Sequence, residues 1–350
     1  MKIPVLGDIH WGSRVDSEKI YINQELFYRN VFFPYIKEHN IKTVFQTGDL
    51  FDNRLRINTR TLNFAKRIFF DPLKKLGCEL FSIAGNHDAF YKDSLKIVTG
   101  KQVLTEYDNV TIYSEPHTQS FDGVPITFIP WICKDNEQQI LEYIKDDTSP
   151  VCMGHFELAH YQYSKSSVAT HGMDSKLLEN YKTVISGHYH TKSAKGNILY
   201  VGTPTENTWE DYDDGKGFWV FDTDDLTYEF IPNHYNLFET LVIESVDDLK
   251  KSDKHDFDNK FLKVFVNCEL KDKQLASFEE YINTSFKVFE LTIVQRKDEK
   301  QKFDTVDVAG IASNRELISR YSNENAVNSD VTNKLLFLYD IAKNNMRDNQ

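Results

Sequence analysis

"TVISGHYHTK", residues 183–192, runs a short apolar stretch into a glycine and then presents two histidines one residue apart. A run this short, closed by a turn residue, reads as a buried strand. On an extended segment, His188 and His190 point the same way, about 6–7 Å apart at ~3.3 Å per residue. One such pair means little, because an isolated GH or GD is usually just a turn. The same ending recurs, however, in "PVLGDIH" (4–10), "VFQTGDLFDNR" (44–54), "FSIAGNHD" (81–88) and "VCMGHFE" (151–157). Each is a strand, a glycine, then a titratable or metal-competent side chain. The glycine lets the backbone turn sharply and lets ligands crowd together.

Strand ends on one edge of an α/β sheet project to one side, where sites of such folds form. These endings offer Asp8, His10, Asp49, Asp52, Asn86, His87, Asp88, His155, His188 and His190. Carboxylates, an amide oxygen and imidazoles, without a thiolate, suit manganese, iron or zinc. Five of the chain's 11 histidines fall in these endings, which makes coincidence a poor account. The remaining six read as ordinary surface or core histidines; among them only His171, in "THGM" (170–173), is a candidate for substrate contact.

The rest of the chain bounds the answer. Its 350 residues suit about two domains. A formal charge of −12, with 53 acids against 41 bases, argues against a broad nucleic-acid-binding surface but leaves room for a local basic groove. "MKIPVLGDIHWG" is not a signal peptide, since Asp8 and His10 interrupt a short apolar run. No stretch approaches the roughly 18 apolar residues of a membrane span. Cys78, Cys133, Cys152 and Cys268 form no CxxC and read as reduced thiols of a cytosolic protein.

Short apolar runs alternate with helical patterns through residue 233, which predicts an α/β core. Helices are expected over 18–39, kinked at Pro34, over 59–76, broken near Pro72 and stopped at Gly77, and over the amphipathic 134–147. From His234 to residue 297, three strand patterns and one helix suggest a small separate α/β domain. Residues 298–312 are charged and read as a linker. Residues 313–350 carry two short helical patterns, "SNRELISRY" and "VTNKLLFLYDIAKNN".

"GDIH", "GDLFDNR", "GNHD", "GHFE" and "GHYH", in that order over residues 7–190, resemble the five motifs of the calcineurin-like metallophosphoesterase superfamily. "LGDIHWG" at the start, GNHD, "YVGTP" (200–204) and the cap with its helical tail resemble one branch more closely. That branch is the SbcD-type nuclease subunit of DNA double-strand-break repair complexes, as carried by large tailed phages. The resemblance implies a two-sheet sandwich flanked by helices, a small cap and a helical tail. It implies two Mn²⁺ per chain, with Mg²⁺ or another divalent metal as substitutes, acting through a bridging hydroxide. Asp8, His10, Asp49 and His190 would hold one ion; Asp49, Asn86, His155 and His188 would hold the other. His87 would be catalytic, with Asp88 orienting its ring.

The branch often has a histidine where this chain has Asp52, so Asp52 is either an orienter of the site or a substrate contact. Arg54, Tyr91 and Lys92 are candidates for DNA contact, beside Arg56 and Arg60. The resemblance also implies DNA as substrate, homodimerisation near the 59–76 helix, and an SbcC-type, SMC-like ATPase bound by the tail in the (host) cytoplasm, with no membrane. Two rivals stand beside a DNA exo/endonuclease. One is another metallophosphoesterase, such as a protein phosphatase or cyclic-nucleotide phosphodiesterase. The other is a non-catalytic scaffold for the ATPase, which loss of ligands would mark; every expected ligand is present.

Overall fold

A computed structural model of the chain describes residues 1–165, 167–248, 256–295, 331, 332 and 334. The expected linker and tail helices therefore lie outside the described residues, apart from these last three positions. Two six-stranded sheets form the body. In the first, Lys2–Leu6, Thr43–Gln46, Glu79–Ile83 and Val110–Tyr113 run parallel, and Gly217–Asp222 and Tyr228–Pro232 close one edge antiparallel. In the second, Val124–Ile129, Val151–His155, Thr183–Gly187 and Ile198–Tyr200 run parallel between antiparallel edges His117–Phe121 and Ser193–Lys195.

Period-two alternation decides what lies between the sheets. Ile3, Val5, Phe45, Phe81 and Ile83 from one sheet meet Ile126, Phe128, Val151, Met153 and Ile185 from the other. The neighbours Leu6, Val44 and Leu80 face outward into an aromatic layer with Phe27, Tyr28, Phe32, Phe69 and Phe70. Ile129, Cys152 and Val184 face the opposite outer layer, against Ile140 and Ile144 of the helix Glu137–Asp146. The order is thus helices, sheet, sheet, helix, as the motifs imply.

The two long helices break differently from expectation. Each contains a wide π turn, Tyr28–Phe32 and Lys66–Phe70, and Pro34 and Pro72 fall at the start of the α segments that follow. A proline there clashes with the preceding turn of a regular α-helix, and the π turn opens the space. Gly77 ends the second helix at φ 63°, as the sequence predicts. Phe64, Ile68 and Phe69 are committed to this chain's own core, while Leu62 is only half-buried. The edge strands His117–Phe121, Ser193–Lys195, Tyr228–Pro232 and Val110–Tyr113 and the hairpin Ala89–Tyr91/Ser94–Val98 are not evident in the sequence, being short and largely exposed or half-buried.

Phe238–Ile243, Phe261–Val266 and Glu290–Gln295 form a parallel three-stranded sheet with the helix Asp272–Ser285. It has its own core of Leu241, Val264, Phe278 and Ile282. Leu237, Phe238 and Phe261 also pack against Ile20 of the body, with Arg14 4.7 Å over the Phe261 ring. Glu206 guards the entry to this sheet. Its carboxylate is buried and accepts the amides of Leu237 (2.6 Å) and Phe238 (2.8 Å). Burial pushes it from 4.5 to about 7, against those two hydrogen bonds.

A carboxyl raised on folding stabilises below its unfolded value, and that contribution is lost as pH rises through the folded one. Glu206→Gln keeps an acceptor and cannot ionise. Its melting temperature should match wild type near pH 4 and exceed it near pH 8, by up to about 3 kcal/mol in stability. Parallel melting curves for the two chains across that range would refute the assignment.

Candidate metal centre

The C-terminal ends of the parallel strands in both sheets meet at one edge. Asp8 and His10 follow Lys2–Leu6, Asp49 follows Thr43–Gln46, Asn86 follows Glu79–Ile83, His155 ends its strand, and His188 follows Thr183–Gly187. Pairing of Gly187 with His155 sets the last two strand ends level. Backbone strain concentrates here. His10 (φ 52°), Asp49 (56°) and His188 (86°) all lie in the left-handed region, where such side chains are rarely placed without compensation. At Gly187 a β-carbon would fall 2.5 Å from Asp8 Oδ1, so only glycine lets the carboxylate in.

The donor atoms converge. His10 Nε2 and His190 Nε2 are 3.0 Å apart, and His190 Nε2 is 3.8 Å from Asp8 Oδ2. Asn86 Oδ1 lies 2.9 Å from His155 Nε2 and 3.1 Å from His188 Nδ1. Asp49 Oδ2 stands between the sets, 3.4 Å from His155 Nε2 and 3.8 Å from His10 Nε2. Asp8, His10 and His190 form one cluster able to hold a cation, and Asp8, Asp49 and His155 another.

Hydrogen-bond direction tests whether cations fit. His155 Nδ1 meets the Thr47 carbonyl at 2.7 Å and must donate to it. Its Nε2 then faces two oxygens that can only accept from it. Either the ring is doubly protonated or a cation takes that lone pair. A ring nitrogen anchored on a carbonyl while its partner faces the cluster is the usual setting of a metal-bound histidine. Among the described residues, His10 Nδ1 has only Asp52 Oδ1, 3.4 Å away and poorly aligned. The donor set thus fits divalent cations bound by nitrogen and oxygen.

The electrostatics agree. Burial pushes His155 down, but the Asp49 charge and hydrogen bond bring it up to about 9. Burial alone would raise Asp49; the His155, His87 and His10 rings hold it well below the carboxylate range. Burial, with the neighbouring rings, drives His10 well down and takes His188 to about 3.

Asp88 corrects an expectation. Its carboxylate does not touch the His87 ring. It accepts the amides of Asp49 (2.8 Å), Leu50 (3.0 Å) and Gly85 (2.9 Å), and so shapes the Asp49 loop. The His87 ring is oriented instead by the Asp52 carbonyl, which accepts from Nδ1 at 2.5 Å, while the His87 amide donates to Asp49 Oδ1 at 2.8 Å. The ring stands edge-on to His10 at 4.9 Å.

Arg54 is near enough to bear on the charge of His87. Tyr91 and Lys92 are exposed on the hairpin that follows Asp88. His171 is exposed and lies against Thr170, outside the cluster. Sequence reasoning missed Trp131, whose ring is tilted over His188 at 5.1 Å and edge-on to His155 at 5.9 Å. It follows the strand Val124–Ile129 as the candidate ligands follow theirs, but an indole offers no metal-binding atom to draw attention.

Among the described residues, no helix is long and apolar enough to cross a membrane. The family model of the calcineurin-like phosphoesterases matches residues 1–192. Exonuclease subunit 1 of Enterobacteria phage T4 is 36% identical over 323 residues, covering 92% of each chain. Among solved structures, an archaeal phosphodiesterase (13% identity, 67% of this chain and all of its own, TM-score 0.35) and the calcineurin-like phosphoesterase YfkN from Bacillus subtilis (11%, 66% and 88%, 0.35) are similar only loosely. With the motif order, the strand-end cluster and the match over residues 1–192 in agreement, the chain belongs to the calcineurin-like phosphoesterase family.

Proposed function

We propose that the protein is a manganese-dependent DNA exo/endonuclease subunit that hydrolyses phosphodiesters with two metal ions. The convergence of Asp8, His10, Asp49, Asn86, His155, His188 and His190 on one sheet edge carries the reading. Asp8, His10, Asp49 and His190 hold one ion; Asp49, Asn86, His155 and His188 hold the other. Bound there, divalent cations supply Lewis acidity toward phosphate oxygens and make water acidic enough to attack near neutral pH.

The chain's own groups do the rest. Asp49, between the two donor sets, serves both. Thr47 fixes the His155 tautomer, and Asp52 fixes the His87 ring. For His87 to be a general acid, its Nε2 must carry a proton as well. Burial opposes this charge, but the Asp49 and Asp52 groups raise the ring's pKa above its ordinary value. The imidazolium can then give the Nε2 proton to the leaving oxygen. Arg54, near enough to bear on His87, and Arg56 and Arg60, which follow it in the chain, suit a phosphodiester backbone, since such contacts dominate nucleic-acid affinity. Tyr91 and Lys92, exposed on the hairpin that follows Asp88, are further candidates for DNA contact.

The phage relative is named a subunit, which supports a partner. We assign that partner as an SbcC-type ATPase bound by residues 313–350, in a cytoplasmic complex built on a dimer of this chain, with 1–233 as nuclease domain, 234–297 as cap and 298–312 as linker.

The test is cleavage of an end-labelled DNA duplex by the purified chain with Mn²⁺, with EDTA as control, and with a chain lacking residues 305–350 assayed beside it. Metal-dependent shortening is expected from both chains, with ATPase co-purification only for the longer. Turnover of a phosphate monoester or cyclic nucleotide without any DNA shortening would move the protein to another phosphoesterase class. Co-purification by the shortened chain would remove the tail from the interface.

A further inference from the structure

Behind the cluster lies a buried charged group that the proposed chemistry does not use. Lys216 is only 5% exposed. Its ammonium has three hydrogens and meets three acceptors: the His190 carbonyl at 2.8 Å, Asp211 Oδ1 at 2.8 Å and Asp214 Oδ2 at 2.7 Å. The His190 carbonyl also accepts the Thr203 amide at 3.1 Å, so it is held from two sides. The second oxygen of Asp211 accepts the amides of Asn207 (2.9 Å) and Thr208 (2.8 Å). Asn207 Oδ1 in turn accepts from Ser13 Oγ at 3.1 Å, and the Ser13 amide donates to the His10 carbonyl at 3.0 Å. One connected set of bonds therefore reaches the main chain at both His190 and His10, whose Nε2 atoms lie 3.0 Å apart.

We propose that Lys216 is a positioning residue, which fixes the main chain at His190 so that this ring is delivered against His10 and Asp8. The proposal rests on the reading that His190 holds a metal ion. Stability alone is a weak reason for such a group, because replacing a buried ion triad by apolar or neutral side chains is often neutral. What a neutral side chain of the same length lacks is a donor for the His190 carbonyl. Ligand-supporting contacts of this kind are worth about 10–100-fold in metal affinity. His155 and His188 take no bond from Lys216, so the effect belongs to one ion.

The full chain carrying Lys216→Met, Asp211→Asn and Asp214→Asn together tests this, because it leaves no buried charge unpaired. Mn²⁺ binding is titrated by electron paramagnetic resonance, and metal-free melting is recorded alongside. The expected result is a melting temperature near wild type, one ion bound about tenfold or more weakly, and the other ion unchanged. A mononuclear Mn²⁺ spectrum should then persist where wild type already shows a coupled pair. Wild-type affinity for both ions overturns the proposal. So does equal weakening of both ions with a lowered melting temperature, which reports general loosening of the fold.

Lys216→Arg keeps the charge but cannot present three hydrogens from one nitrogen. It is expected to bind that ion with intermediate affinity, and wild-type affinity there also overturns the proposal. His190→Ala separates the two levels of the inference. It should lose the same ion; if it binds both ions like wild type, His190 is no ligand, and the reading beneath the proposal fails first.

Discussion

Asp49→Ala is expected to lose both metal ions and at least about 10³-fold in cleavage rate, as befits removal of a central electrostatic group from a preorganised site. Asp49 is 2% exposed and its carboxylate faces both donor sets, toward His155 on one side and His10 on the other. Its other oxygen accepts the His87 amide, so the same change also unties the proposed acid. Asp49→Asn keeps the shape and an acceptor for that amide but not the charge, and it should behave nearly as badly. Metal content after gel filtration, by elemental analysis, decides the point. Two ions retained per Asp49→Ala chain would end the assignment of this carboxylate as the shared ligand.

His87→Ala should separate binding from chemistry. The ring belongs to neither donor set proposed for the ions, and its Nδ1 is tied to the Asp52 carbonyl. Its loss should leave two ions bound while lowering cleavage by about 10²–10⁴-fold, the usual worth of a positioned proton donor. Wild-type cleavage by this variant would remove His87 from the chemistry. Loss of metal together with activity would make it a structural support of the site. Because Asp88 holds the Asp49 loop rather than the His87 ring, Asp88→Asn should resemble the Asp49 changes more than the His87 change.

How much of this was legible in the residues can be seen at particular positions. The strand endings were legible because each carries its signal locally: an apolar run, a glycine, then ligands at fixed spacing. The short, nearly continuous apolar runs of Lys2–Leu6 and Glu79–Ile83 likewise announce strands covered on both faces. Edge strands such as His117–Phe121 and Ser193–Lys195 gave no such sign. Half-exposed and polar, they owe their form to pairing with a neighbour. The π turns before Pro34 and Pro72 were hidden for a similar reason, since proline marks a break without saying which turn widens.

The sequence by itself therefore determined the α/β class and the family and supplied the candidate ligands, all of which follow from short-range pattern and side-chain chemistry. Only the tertiary structure decided which atoms serve which others. That Asp88 caps backbone amides, that a carbonyl at Asp52 orients His87, that Trp131 roofs His188, and that Lys216 holds His190 are contacts between segments far apart in the chain. Hydrogen-bond direction and burial arise only when those segments meet, so no local pattern of residues can carry them.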